Sequence, residues 1–263
     1  MSEDISSTTS LTEEDVARLA RDAVSVRLGS RNADIVLLCE HGGFRVPAEW
    51  NNLGIPEAFT STHFGYDIGS RNLTLRIAEL LDATVVLANY SRLFLDYNRK
   101  QQDPSCIRPD MGGIPIPGNE RISAEERALR ERIARHPVEK RVADLLEGDA
   151  AVGKGIISIH SFSHVWETNY RDCEIGVMWK QDERLKTPLM AALRQQSDYA
   201  ADENEPYSFA DSDWFTLDRH GLSIGVPNAY IEVRNDLLST EGKVDKIAKI
   251  LAPAIGAAFK ALN

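Results

Sequence analysis

Within Gly155–His164, GIISIHSFSH, the residues Ile156, Ile157 and Ile159 make a short β-branched run that fits a buried strand. The run leads into His160, which stands between Ser158 and Ser161. A strand that ends on a histidine constrains fold and chemistry together. In open α/β sheets, ligands sit beyond the carboxyl ends of the strands, so an imidazole there meets a metal or a substrate. One histidine alone reads more simply as a core side chain satisfied by its neighbours, so the other strand ends decide.

Asp34–Cys39 (DIVLLC) is nearly all apolar, as in an interior strand buried on both faces, and it runs into Glu40, His41, Gly42 and Gly43. The two glycines let the backbone turn sharply and let a ligand come close. Thr84–Tyr90 (TVVLANY) is followed by Ser91, Arg92 and then Asp96-Tyr97-Asn98-Arg99. Asn228–Val233 (NAYIEV) carries Glu232 and is followed by Arg234. A glutamate in an apolar strand is expensive to bury unless it is paired or neutral, so Glu232 needs a reason. Arginines at a strand exit suit a carboxylate, which the guanidinium fork matches with two hydrogen bonds; solvated surface arginines are the competing reading.

Helical spacing fills the intervals. Ser10 and Glu13 form a possible capping box before Val16, Leu19, Ala20 and Val24. Leu73, Ile77, Leu80 and Leu81 repeat with helical period, and Asp67 is available ahead of them as a cap or as a ligand. Residues 123–146 read as a long helix opened by Ser123 and Glu126, interrupted at Pro137, with its charges on a solvated face. Residues 174–179 read as a strand, 201–208 as a polar turn, and 185–193, 211–220 and 243–262 as helices. The segment 103–117, with four prolines and two glycines, reads as a long loop beside the site, of the kind that forms lids or specificity elements. GDAAVGKG at 148–155 approaches a phosphate loop, but no Ser or Thr follows Lys154 and the segment precedes a strand, which excludes it.

Strands followed by helices predict a three-layer α/β/α fold with a mostly parallel mixed sheet. The chain is expected to form one domain over residues 11–263 after a mobile Ser/Thr-rich tail, Met1–Ser10. Its 263 residues, 43% hydrophobic, suffice for one sizeable core. No apolar run approaches the roughly 20 residues that cross a bilayer, and MSEDISSTTS lacks the basic start and apolar centre of a signal peptide, so a cytoplasmic protein is expected. Cys39, Cys106 and Cys173 are odd in number and widely spaced, which fits neither a disulfide framework nor a four-cysteine zinc site. A net charge of −10 would repel nucleic acid and anionic lipid, leaving a small molecule as the expected partner.

His41, His160 and Glu232 thus fall at the ends of separate strands, with Asn98 and Arg99 soon after another. Two histidines and a carboxylate are the ligand set of many catalytic zinc sites, and a further glutamate can serve as general base. Iron is the weaker option, because no His-x-Asp pair occurs; the His-Glu-x-x-His motif is absent too.

In order, CEHGG, HFGYDIGS, YSRLFLDYNR, SIHSFS, NEPYS and IEVRNDL span about Asp34 to Gly242 and resemble the N-formylglutamate amidohydrolase family. The same landmarks are distantly similar to zinc carboxypeptidases and acyl-amino-acid deacylases. The resemblance implies a zinc-exopeptidase-like (phosphorylase/hydrolase-like) fold. It also implies that His41 and His160 bind Zn²⁺ or another divalent metal, that Glu232 is the base, and that Asn98 and Arg99 hold a carboxylate. One position departs from the carboxypeptidase pattern: Phe44 stands where a glutamate ligand follows the first histidine by three residues. The third ligand then comes from elsewhere, with Asp67 of YDIG preferred and Glu40 as the alternative. Neighbours on an extended chain point to opposite faces, which counts against Glu40 beside His41.

The implied reaction is hydrolysis of an N-acyl amino acid, above all N-formyl-L-glutamate. A glutamate product bears two carboxylates, so Arg99 and Arg92 are the expected anchors, with Arg171 and Arg234 in reserve; Arg234 is also placed to pair with Asp236 or Glu232. His164 and His220 read as structural. The alternatives are a metallocarboxypeptidase-like hydrolase of short peptides or other N-acyl amino acids, and a non-catalytic carboxylate-binding module. Phe44 favours the module, whereas Glu232 opposes it, since an anion binder without metal gains nothing from a buried negative charge.

Overall fold

The computed structural model describes residues 11–148, 153–166, 168–207 and 215–262, so the expected tail Met1–Ser10 lies outside the described residues. The chain forms α1 (Glu13–Asp22), β1 (Val24–Arg27), β2 (Asn32–Cys39), α2 (Glu57–Thr60), α3 (Ser70–Leu81) and β3 (Ala83–Ala88). Then come β4 (Asp110–Met111), β5 (Ile114–Pro115), α4 (Ala124–Arg130), α5 (His136–Leu146), β6 (Gly155–Phe162), β7 (Val165–Trp166) and β8 (Asn169–Tyr170). The order ends with β9 (Ile175–Met178), α6 (Lys186–Gln196), β10 (Ala201–Glu203), α7 (Thr216–His220), β11 (Asn228–Arg234) and α8 (Glu241–Lys260).

Seven strands make one sheet in the order β1-β3-β2-β6-β11-β9-β10. The central β3, β2, β6 and β11 run parallel, while β1 opposes β3 and β9 opposes β11. Side-chain alternation sorts the strands onto two apolar layers. Leu37, Val85, Ile157, Ile159, Ile231 and Val233 join the helices α3, α6 and α8 on one face. Val36, Leu38, Val86, Ile156 and Tyr230 join α1, α5 and the long loops on the other. The expected three-layer α/β/α architecture with a mostly parallel mixed sheet is therefore found. Between β2 and β6 the strand order reverses, since β2 continues outward to β3 while β6 lies on its opposite side. Such a reversal opens a crevice at the carboxyl ends of the strands. Among the described residues, no helix is long and apolar enough to cross a membrane.

Local details depart from the sequence expectation. The first helix is capped by Thr12 and Asp15 in a reciprocal box, two residues beyond the expected Ser10–Glu13 pair. Val24 belongs to the edge strand β1 rather than to that helix, and residues 201–203 of the expected turn form the edge strand β10. Ser123 does cap α4, but the long helix is interrupted by a π-helical turn over Glu131–Arg135, just before Pro137. Nor is it simply a solvated face, because Arg130, Glu131 and Arg135 are buried. Asp211 lies outside the described residues, and the helix near it is α7.

Candidate active site

The period of two along the strands lines up polar groups on one face at the carboxyl edge of the sheet. In β6, Ile157 and Ile159 enter one apolar layer, so Ser158 and His160 face the other side. In β11 the same alternation sets Tyr230 and Glu232 beside them, Glu232 being in register with His160. Glu40 follows β2 on this face, and its carboxylate accepts hydrogen bonds from Ser158 Oγ and lies 3.2 Å from His160 Nε2. His41 comes one residue later and turns outward over the edge, where its carbonyl accepts from the Asp67 amide at 2.8 Å. The glycines after it serve the protein's own packing: a Cβ at Gly43 would stand 2.3 Å from the Asn89 backbone, and one at Gly42 would stand 2.7 Å from Cys39 Sγ.

His41, Asp67 and His160 meet here, all buried, each offering one ligand atom within 4.8 Å of the others. Asp67 Oδ2 lies 2.8 Å from His160 Nδ1 and 3.7 Å from His41 Nδ1. The far nitrogens lean on other acids, His41 Nε2 on Asp96 Oδ1 at 2.8 Å and His160 Nε2 on Glu40. Arg92 spans Asp67 and Asp96, at 3.2 and 3.1 Å. Asp67 therefore does not cap α3, whose N-cap is Gly69 at φ 82° with no side-chain bond. Phe44 is exposed and packs against the ring of Tyr66, away from these donors.

Electrostatics follow from burial and these contacts. Burial raises Asp67, yet hydrogen bonds from His160 and His41 hold its carboxyl well below the usual range. Asp96 is likewise raised by burial but held well below it by His41 and Arg92. Burial lowers His160, but Glu40 and Asp67 leave it well above an ordinary imidazole. Glu232 goes the other way: burial pushes it up to about 8, against the lowering effect of His160. Its Oε2 has no hydrogen-bond partner.

A cavity of about 760 Å³ opens over the group and is lined also by Asn98, Arg99, Arg108, His63 and Tyr207. The Asn98 oxygen is taken by Tyr230 Oη at 2.8 Å and the Thr216 amide at 3.1 Å, which leaves its NH₂ as the donor for a ligand. The buried Nε of Arg99 has no partner. The reserve arginines already have partners: Arg234 pairs with Asp236 at 2.8 Å and Glu174 at 3.3 Å, away from the cavity lining, and Arg171 donates to Tyr207 Oη at 3.1 Å on the cavity wall. His164 reaches Asn235 at 3.5 Å, and His220 is buried beside a separate cavity of about 10 Å³. Sequence reasoning assigned no part to Asp96, His63, Tyr207 or Arg108. Asp96 carried a usable signal, an acid directly after the apolar Leu93-Phe94-Leu95. His63 and Tyr207 stand inside the landmarks HFGYDIGS and NEPYS, whereas Arg108 carried no signal and is brought here only by the folded loop.

Residues 33–239 match the family model described as N-formylglutamate amidohydrolase. Among solved structures, gene product Atu2144 from Agrobacterium tumefaciens is similar at 32% identity, over 92% of this chain and 96% of that one, with a TM-score of 0.84. The N-formylglutamate amidohydrolase from Ralstonia eutropha shares the fold at 16% identity, over 92% of this chain and 98% of that one, with a TM-score of 0.70. No curated protein matches the chain significantly.

Proposed function

This chain belongs to the N-formylglutamate amidohydrolase family and is an amidohydrolase; from that premise we propose that it cleaves the amide of an N-acyl amino acid, N-formyl-L-glutamate above all, with Zn²⁺ held by His41, Asp67 and His160. The observation that carries the proposal is the meeting of three buried donors with a further buried carboxylate, Glu232, that has an unpartnered oxygen. The donor set suits the ion, since two imidazoles and one carboxylate leave a position for solvent. Carboxylates at the far nitrogens orient both rings and favour Nδ1 as the ligating atom. Glu40 then supports His160 from behind, and Asp67 is the third ligand.

Held there by His41, Asp67 and His160, Zn²⁺ would supply polarisation of the acyl carbonyl and would lower the pKa of water from about 15.7 to about 7. Glu232 takes a proton from the attacking water as the water oxygen bonds to the acyl carbon. It returns that proton to the amide nitrogen as the C–N bond breaks, releasing formate and glutamate from the formyl substrate. Asn98 and Arg99 hold the α-carboxylate, Asn98 through the NH₂ opposite its engaged oxygen and Arg99 through its guanidinium. Arg92 fixes Asp67 and Asp96, and keeps its unpartnered Nε for the substrate.

Protein purified without chelator should contain stoichiometric zinc and should release amine from N-formyl-L-glutamate within a panel of N-formyl, N-acetyl and N-succinyl amino acids. No release from any member with Zn²⁺ or Co²⁺ added would overturn the proposal. Preference for another acyl group would move the substrate while leaving the machinery in place.

A further inference from the structure

Three guanidinium groups converge on the cavity, and among the described residues only one has carboxylates within ion-pair distance. Arg92 has Asp67 and Asp96. Arg99 and Arg108 reach no carboxylate within ion-pair distance among the described residues. The family motif accounts for Arg99 but says nothing of Arg108. The Arg108 side chain is half-buried, and among the described residues its one hydrogen-bond acceptor is Met111 Sδ, 3.1 Å from Nη1, a weak acceptor for a charged donor. Burial and then the neighbouring Arg92 push its pKa down, and Arg99 adds to this, while Asp96 and Asp110 offset only part of it. Like charges held together repel unless an anion lies among them. In a chain of net charge −10, a patch of unpaired cations is not a by-product of a basic surface.

The position of Arg108 is built into the fold. Asn119 Nδ2 donates to the Arg108 carbonyl at 2.9 Å and to the Leu93 carbonyl at 2.8 Å, and its own oxygen accepts from the buried Arg130 at 2.6 Å. The Ile116 amide donates to the Pro109 carbonyl at 2.8 Å, closing the base of the β4–β5 hairpin. At its tip, Gly112 and Gly113 have φ of 62° and 78°, as a tight two-residue hairpin turn requires. A Cβ at Gly112 would come within 2.9 Å of the Phe64 ring, so the hairpin is seated against the cavity wall.

We propose that Arg108 binds a second carboxylate of the substrate, so that this hairpin sets a preference for dicarboxylic N-acyl amino acids, the first carboxylate going to Asn98 and Arg99. The inference rests on the proposed amidohydrolase reaction and adds a residue to it. The test compares kcat/KM for N-formyl-L-glutamate with that for N-formyl-L-glutamine, a neutral isostere at the side chain. In Arg108→Gln the ratio should fall roughly 10- to 150-fold, the range for losing a hydrogen bond to a charged group, mostly through KM. Arg108→Lys should recover part of the ratio, which misfolding would not allow. An unchanged ratio, or equal losses on both substrates, would overturn the assignment. A second arm needs no turnover: calorimetric titration with glutarate and with its monoamide. Loss of the glutarate preference in Arg108→Gln supports the site, and an undiminished preference overturns it. Absence of turnover in the unaltered protein would count against the proposed reaction alone, because this arm reads the anion site by itself.

Discussion

His41 and His160 each turn one nitrogen toward Asp67 and rest the other on a different carboxylate, Asp96 or Glu40. Burial and Arg92 lower His41, but Asp96 and Asp67 leave it raised; His160 is raised further, as described above. Both imidazoles therefore hold protons more tightly than usual, and a metal bound there as proposed would have to displace them. Metal affinity should accordingly weaken as pH falls, and loading should release protons. Calorimetry in buffers of different ionisation enthalpy measures that release, and identical heats in all of them would contradict it. For Glu232→Gln, turnover should drop about 10²- to 10⁴-fold while bound metal is retained; steady-state kinetics with metal analysis decides. At this scale the sequence was informative wherever a polar residue interrupted an apolar strand, as with His160 and Glu232. It was ambiguous for Asp67, where a helix cap and a ligand look alike, and the backbone removes only the first reading by placing Gly69 at the cap.

The helix pair α4–α5 and the π-helical turn between them clamp the loop that carries Asn98 and Arg99. Arg130 Nη1 donates to the Phe94 carbonyl at 3.2 Å, and Arg135 donates to the carbonyls of Tyr97 at 2.7 Å and Asp96 at 3.0 Å. Arg135 also pairs with the buried Glu131, inside the π-helical turn. Arg135→Met should remove the ion-pair partner of the buried Glu131 and one donor from each of the Tyr97 and Asp96 carbonyls, at a cost of roughly 3–5 kcal/mol. Chemical denaturation would measure that loss, and zinc retention should weaken with it because Asp96 orients His41. Buried arginines of this kind were invisible in the sequence: on a charged helix they share their spacing with solvated ones. The edge strands β1 and β10 were missed for a related reason, since short and partly exposed segments carry no apolar run. The interior strands were legible because burial on both faces demands such a run.

Across the whole molecule, the carboxyl edge is where acids and histidines gather, and not all of them belong to the chemistry. His220 is buried near Glu40 with Nδ1 unpartnered, and burial, then Arg219, lowers it to about 4. Its folded pKa lies below the unfolded value near 6.5, so the unfolded chain takes up the proton first as pH falls. The stability it contributes should be complete above about pH 6.5 and lost by about pH 4, on the order of 3 kcal/mol at 1.36 kcal/mol per unit. Denaturant midpoints against pH should show this slope, and the slope should flatten in His220→Asn. The sequence conveyed the class of fold, because strands and helices alternate, but not the strand order. That order depends on which edges pair, and nothing local records it.

The placement of β11 has a consequence for how the molecule is made. It occupies the slot between β6 and β9, both synthesised before it, with parallel pairing on one side and antiparallel on the other. A nascent polypeptide that has not yet supplied residues 228–234 therefore presents two open backbone ladders facing one another across a gap. Such ladders recruit foreign strands, so chaperone occupancy during translation should concentrate in the interval between these segments.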